Sequence, residues 1–190
     1  SLLMPKVSIR TQFLSERKAR SMAACSASSV EIQGRFLQSE FFLGAGCLAL
    51  YSAIHHEAQT DGVAGRALAC GKTLVYPRVD GDALVFVKVE NLNELAPGSF
   101  GVLEPPGQNL LPVAALGLVV VPGVAFDLRG HRLGYGRGFY DRALGSCRSE
   151  CLRVGFAYDS QLTDALPALD HDKTLSVLMT ETRTLTWSHE

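Results

Sequence analysis

Hydrophobic positions change their spacing along this chain, and each change marks an element. Through Glu40, apolar residues recur at helical intervals among Lys, Arg, Ala and Ser, which predicts helices over Lys6–Ala24 and Ser29–Glu40. Cys47–Ser52 (CLALYS) reads as a buried strand. Thr60–Cys70 predicts a helix, with Thr60 or Asp61 to cap it and Gly71 to end it. Thr73–Val79 and Ala83–Val89 read as strands on either side of Asp80, Gly81 and Asp82, a hairpin signal. Pro77 sets the first of them near an edge or a strand end. The Pro- and Gly-rich stretch Pro97–Pro112 predicts a surface loop.

Leu116–Val121 (LGLVVV) is apolar on both faces, the mark of a central strand covered on both sides. A Gly-rich turn follows, then a short helix from about Phe139 to Cys147, and two more strands over Leu152–Tyr158 and Leu175–Thr180. Strands alternating with helices indicate a layered α/β fold. In such sheets ligands bind where loops leave the carboxyl ends of strands, and the turn after Val121 is such a place.

Composition narrows the partners. The chain has 190 residues, 47% of them hydrophobic, and a net charge of -1. That suits one domain, over residues 4–189, and argues against a nucleic-acid or membrane partner chosen by bulk charge. Five cysteines without a CxxC pair read as reduced thiols of a cytoplasmic protein. Cys147 and Cys151 have helical spacing and are expected to cover the short helix. The uncharged run Phe41–Ile54 is too short to span a bilayer, no signal peptide is evident, and Met4 is a possible native start.

The candidate chemistry sits in Pro122–Arg142, PGVAFDLRGHRLGYGRGFYDR. Gly134, Gly136 and Gly138 alternate with Tyr135 and Arg137 just before a helix. Glycines let backbone N–H groups approach an anion, and a helix start adds partial positive charge. Arg132 and Arg137 bring guanidinium groups shaped for phosphate oxygens, and Asp141 is positioned to hold a cation bridging them. This is not a Walker A loop, since Gly-Lys-Ser/Thr is missing, nor a dinucleotide fingerprint, since the glycines come late.

The segment resembles the signature of the 5-formyltetrahydrofolate cyclo-ligase family, approximately PGxAFDxxGxRLGxGxGxYDxxL. Pro122, Gly123, Ala125, Phe126, Asp127, Gly130, Arg132, Leu133, Gly134, Gly136, Gly138, Tyr140, Asp141 and Leu144 all match. Lys6–Arg10 (KVSIR) is similar to the family's N-terminal Lys-x-x-x-Arg, and Tyr51–Thr60 to its folate loop, with Glu57 as the folate contact. Gly71, Lys72, Pro77 and Arg78 fit a further stretch, as do Glu104 and Pro105, and His171–Asp172 resembles a magnesium-holding pair. Gly117, Ser176 and Phe139 depart from the pattern.

The resemblance implies a three-layer α/β/α fold with a mostly parallel central sheet, like that of the isomerase and CoA-transferase group. It implies an enzyme that uses ATP and Mg²⁺ to convert 5-formyltetrahydrofolate into 5,10-methenyltetrahydrofolate, as a monomer or weak dimer. The ATP contacts it implies are Lys6, Arg10, Arg132, Gly134, Tyr135, Gly136, Arg137, Gly138, Phe139 and Tyr140. Folate would meet Ser52, Ile54, Glu57 and the stretch Tyr135, Gly136, Arg137, Gly138 and Phe139. Arg132, Arg137 and Tyr140 would act in the reaction, and Asp141 and Asp172 would hold the metal. Two alternatives remain at this stage: a nucleotide-binding regulatory protein without turnover, and a sugar-phosphate isomerase of related fold.

Taken without the resemblance, Lys6 and Arg10 read as a solvated helix face and Asp172 as a turn cap. His131 and His171 read as exposed polar residues. His55, His56 and Glu57 invite a metal reading, but adjacent strand residues point to opposite faces.

Overall fold

The computed structural model describes residues 4–168 and 173–188. His171 and Asp172 lie outside the described residues. The helices are α1 (Lys6–Ala19), α2 (Met22–Leu37), α3 (Glu40–Gly44), α4 (Asp61–Ala69) and α5 (Phe139–Gly145). The strands in order are β1 (Cys47–Ala49), β2 (Thr73–Asp80), β3 (Ala83–Val89), β4 (Ala96–Pro97), β5 (Leu103–Glu104), β6 (Leu110–Leu111) and β7 (Leu118–Val121). They continue as β8 (Ala125–Asp127), β9 (Arg132–Leu133), β10 (Leu152–Phe156), β11 (Leu162–Thr163), β12 (Val177–Met179) and β13 (Thr184–Thr186).

The helix expected over Lys6–Ala24 breaks at Arg20, whose ψ of 139° is extended. Ser21 then starts α2, its side-chain oxygen accepting from Ala24 N at 3.1 Å. A serine at this position satisfies a helix-start amide better than it serves a helix interior, so the break follows from local chemistry. Thr60 occupies the cap position of α4 but makes no side-chain cap; its hydroxyl donates to Tyr51 O at 2.6 Å instead. Gly71, at φ 76°, ends that helix in the left-handed conformation glycine allows.

Eight strands form the main sheet in the order β13-β12-β10-β7-β1-β2-β3-β6. β12, β10, β7, β1 and β2 are parallel; β13 pairs antiparallel with β12 at one edge, and at the other β3 pairs antiparallel with β2 and β6 antiparallel with β3. β7 is buried along its whole length, as its composition predicts. Its residues alternate between layers. Leu118 and Val120 join Ile32, Phe36, Val63 and Ala67 of α2 and α4 on one face. Val119 and Val121 join Phe126, Ala143 and Leu144 on the other, beneath α5. Three layers result.

Two features were not expected from the pattern. β8, β9 and β11 form a separate small sheet in the order β11-β8-β9. α1 leaves the helical layers and packs its Ile9 and Phe13 onto Ala125, Leu133 and Leu166 around that small sheet. The expected strands also come out shorter, at Cys47–Ala49, Leu152–Phe156 and Val177–Met179, the last of them trimmed at both ends.

The sequence of strands changes direction between β1 and β7: β2 follows β1 to one side, and β10 and β12 follow β7 to the other. Loops leaving the carboxyl ends of such neighbours diverge and open a crevice. Here they are the Tyr51–Thr60 loop and the segment from Pro122.

Candidate active site

The crevice is a cavity of about 440 Å³. Lys6, Arg10, Ser52, Ile54, Glu57, Arg132, Gly134, Tyr135, Gly136, Arg137, Gly138, Phe139, Tyr140 and Asp141 all line it. Every site residue expected from the sequence therefore meets in one place, apart from Asp172, which is outside the described residues.

Glu57 is buried at its back. It follows His55 and His56, both with positive φ (50° and 67°), a strained pair for residues with side chains. Hydrogen bonds hold that turn: Arg17 Nε donates to His55 O at 2.9 Å and Tyr158 OH donates to His56 O at 2.7 Å. The turn aims Glu57 inward, where Ile54 N donates to Oε1 at 2.8 Å and Tyr135 OH donates to Oε2 at 3.0 Å. Burial pushes the Glu57 carboxyl above its ordinary range; the Ile54 amide, Arg17 and Tyr135 pull against that shift. His56 points the other way, its Nδ1 4.0 Å from Cys25 Sγ, so the two histidines and Glu57 do not converge on one ion.

Arg17 is the residue the sequence reading missed. It is only 2% exposed and donates from Nη2 to Tyr135 OH at 2.6 Å and from Nη1 to Gly123 O at 3.3 Å. It thus ties α1 to the Tyr51–Thr60 loop and to both Gly123 and Tyr135 of the segment after β7. Lys6, Arg10 and Arg17 fall on one stripe of α1 at 3.6 residues per turn, and that stripe was the available signal. Arg10, one turn after Lys6, donates from Nε to Gly134 O at 2.8 Å.

Two glycines of the Gly134–Gly138 stretch have positive φ. Gly136 has φ 102° and Gly138, at the start of α5, φ 73°. A Cβ at Gly134 would meet Arg132 Nη2 at 2.5 Å, so that glycine keeps the guanidinium close to the backbone. Arg132 is anchored from Nε to Pro122 O at 2.9 Å and pairs from Nη1 with Asp141 Oδ1 at 3.3 Å. Burial disfavours its charged form, Asp141 offsets this, and a guanidinium stays charged regardless. Arg137 lies 3.9 Å from the centre of the Phe100 ring, a second lining residue the sequence reading did not single out. Tyr140 lies beneath Arg132, and burial raises its phenol so that it stays protonated and can donate. Ser52 Oγ is buried without a partner among the described residues.

Asp141 is 63% exposed, and only Oδ1 is engaged. One exposed carboxylate is too little to cage a metal alone. It fits Mg²⁺, which keeps several waters and takes one or two carboxylates with phosphate oxygens. Among the described residues no cluster of three His, Cys, Asp or Glu side chains could hold an ion.

The short helix stops at Gly145, before the expected Cys147; Cys147 and Cys151 pack into the core beside it, as expected. His131 is a further correction. It is half-buried on Asp127 and lines the cavity.

The profile of the 5-formyltetrahydrofolate cyclo-ligase family matches residues 4–181. The chain belongs to this family. It is 30% identical to the 5-formyltetrahydrofolate cyclo-ligase of Escherichia coli K12 over 149 residues, covering 75% of this chain and 82% of the relative. The cyclo-ligase of Mycolicibacterium smegmatis is 26% identical over 186 residues, 94% of each chain. Among solved structures, the 5,10-methenyltetrahydrofolate synthetase of Aquifex aeolicus superposes with a TM-score of 0.87 at 31% identity, over 98% of this chain and 97% of that one. Cyclo-ligase membership makes the chain an enzyme of folate metabolism, and the mostly parallel sheet is the fold of its solved relatives. No helix among the described residues is long and apolar enough to cross a membrane.

Proposed function

We propose that the protein closes 5-formyltetrahydrofolate to 5,10-methenyltetrahydrofolate at the expense of ATP, releasing ADP and phosphate. A formamide carbon is weakly electrophilic and its oxygen leaves poorly. Moving the γ-phosphoryl of ATP onto that oxygen cures both faults. N10 of the folate then forms the new C–N bond, the C–O bond to phosphate breaks, and N10 gives up its proton. Such a reaction needs positioning and charge neutralisation more than a protein nucleophile.

In this reading, Arg132, Arg137 and the backbone of Gly134–Gly138 cradle the triphosphate, and Lys6 and Arg10 close on ATP from α1. Ser52, Ile54 and Glu57 bind the folate, with Tyr135 and Phe139 between the two ligands. Tyr140 donates toward the reacting oxygens. Asp141, with Asp172, would hold Mg²⁺, which supplies charge neutralisation on the phosphates when bound. The protein acts as a single domain, a monomer or weak dimer in the cytoplasm.

The observation that carries the reading is the cavity's two-sided chemistry. An acid, Glu57, enters it from the loop after β1, and the Arg-bearing Gly hairpin, whose Tyr135 holds that acid, enters from the segment after β7. The test mixes the protein with 5-formyltetrahydrofolate, ATP and Mg²⁺ and follows the ultraviolet absorbance of the methenyl product. Product that requires ATP supports the reading. ATP binding without product favours a regulatory nucleotide-binding protein, and no ATP binding contradicts both.

A further inference from the structure

Asp127 is the most enclosed carboxylate of the hairpin, with no exposed side-chain surface. Oδ1 accepts from Arg129 N and His131 N, both at 2.9 Å, and Oδ2 accepts from Leu166 N at 2.9 Å. Arg129 Nη2 approaches Oδ2 at 3.4 Å. The backbone donors explain why an acid is tolerated there: it caps the turn between β8 and β9. They do not explain His131, whose Nδ1 lies 3.2 Å from Oδ2. A carboxylate can only accept, so Nδ1 carries the proton.

That bond fixes the ring, and in the imidazolium form Nε2 is a second N–H. The His131 side chain is 18% exposed and lines the cavity, and among the described residues Nε2 has no partner. The next residue is Arg132, whose guanidinium pairs with Asp141, and Lys173 lines the cavity as well. Arg132 thus stands beside the carboxylate that would carry the cation, and His131 and Lys173 line the same cavity, where the phosphates of a nucleotide belong. An oriented imidazolium donor there meets a phosphate oxygen without loss of rotamer freedom on binding.

We propose that the His131 imidazolium, oriented by Asp127, donates from Nε2 to the terminal phosphate of ATP. The proposal rests on the ATP reading above. It makes His131 a sensor of the γ-phosphate, distinguishing ATP from ADP in a cavity whose other cationic groups serve both.

Asparagine and glutamine separate this from a role in the turn alone. Asn presents an amide near the position of Nδ1 and nothing at Nε2; Gln does the reverse. The experiment measures MgATP and MgADP affinity by calorimetry for the wild type, His131→Asn and His131→Gln. Loss of one charge-assisted hydrogen bond should weaken MgATP binding roughly ten-fold in His131→Asn and leave MgADP binding unchanged. His131→Gln should recover part of the MgATP affinity. Equal losses for both nucleotides, or no loss for either, overturn the proposal while the ATP reading stands. A wild type that binds neither nucleotide overturns both. A measurement without substitution guards against a variant that fails to fold: in the wild type labelled with ¹⁵N-histidine, the His131 Nε2 resonance should move on adding MgATP and stay with MgADP. A resonance that responds equally to both contradicts the assignment.

Discussion

The Tyr135 hydroxyl donates to Glu57 Oε2 at 3.0 Å and accepts from Arg17 Nη2 at 2.6 Å. One phenol thereby joins the loop after β1, the hairpin after β7 and the first helix. Each ligand-facing element is held by another, so disturbing one should be felt at all three.

Arg17 tests this linkage. Arg17→Met removes the charge but leaves His55 O and Tyr135 OH without their donor, while Gly123 O keeps Gln161 Nε2. Stranded buried acceptors cost about 1–3 kcal/mol each before relaxation. Denaturant titration should show a loss of about 2–4 kcal/mol, and the variant that remains folded should have a raised KM for the folate. A loss under about 0.5 kcal/mol, the range of surface substitutions, would contradict the linkage.

Glu57 gives a pH signature. Its carboxyl is raised from 4.5 by burial, so above that value the folded protein still holds a proton the unfolded chain has released. Stability from this group is therefore full below 4.5 and is lost as pH rises through the folded value. Glu57→Gln cannot titrate. The stability of the wild type relative to the variant should fall as pH rises through this window and then level off, measured by chemical denaturation at a series of pH values. Parallel stability curves would count against a buried, raised carboxyl.

Two glycines should respond oppositely to the same substitution. Gly136 has φ 102°, and a Cβ there would meet Arg10 at 3.4 Å. Gly136→Ala should cost about 1–3 kcal/mol and weaken ATP binding. Gly34 lies inside α2 with open space around it, so Gly34→Ala should stabilise by about 0.5–1 kcal/mol with unchanged activity. Melting temperatures of the two variants check both signs.

The cysteines should differ in reactivity. A hydrogen bond from Cys151 lowers the Cys147 thiol to about 7, while the same bond and burial push Cys151 upward. Timed alkylation with iodoacetamide followed by peptide mass spectrometry should label Cys147 first, with a rate that rises through pH 7 and flattens above it. Preferential labelling of Cys151 would reverse the assignment.

Asp141→Asn should raise the Mg²⁺ concentration needed for half-maximal turnover by roughly ten-fold or more. An unchanged requirement would remove Asp141 from the metal site.

Periodicity exposed the sheet-forming segments because they are buried on both faces; β7 is the plainest case. The break at Arg20–Ser21 escaped it because Ser21 interrupts helical spacing without a glycine or proline to mark the place. The small strands β8, β9 and β11 are two or three residues long, too short to show a period; β8 pairs with its neighbour β9 and with the distant β11. The glycines and arginines of the hairpin were legible as chemistry because they cluster in sequence. Arg17 and Phe100 were not, since they join the site only through folding: Arg17 reaches Tyr135 across 118 positions, and Phe100 meets Arg137 from the loop between β4 and β5. His131 looked like surface because its partner, Asp127, shows itself as buried only once the turn between them is closed.

The central claim is that a nucleotide and a folate share the cavity between α1 and the Gly hairpin. A crystal structure with a non-hydrolysable ATP analogue and Mg²⁺ tests it most directly. The account predicts phosphates against Arg132 and the backbone of Gly134–Gly138, with Arg10 alongside and Glu57 left open for the folate. Nucleotide density elsewhere on the molecule, with this cavity empty, would contradict it.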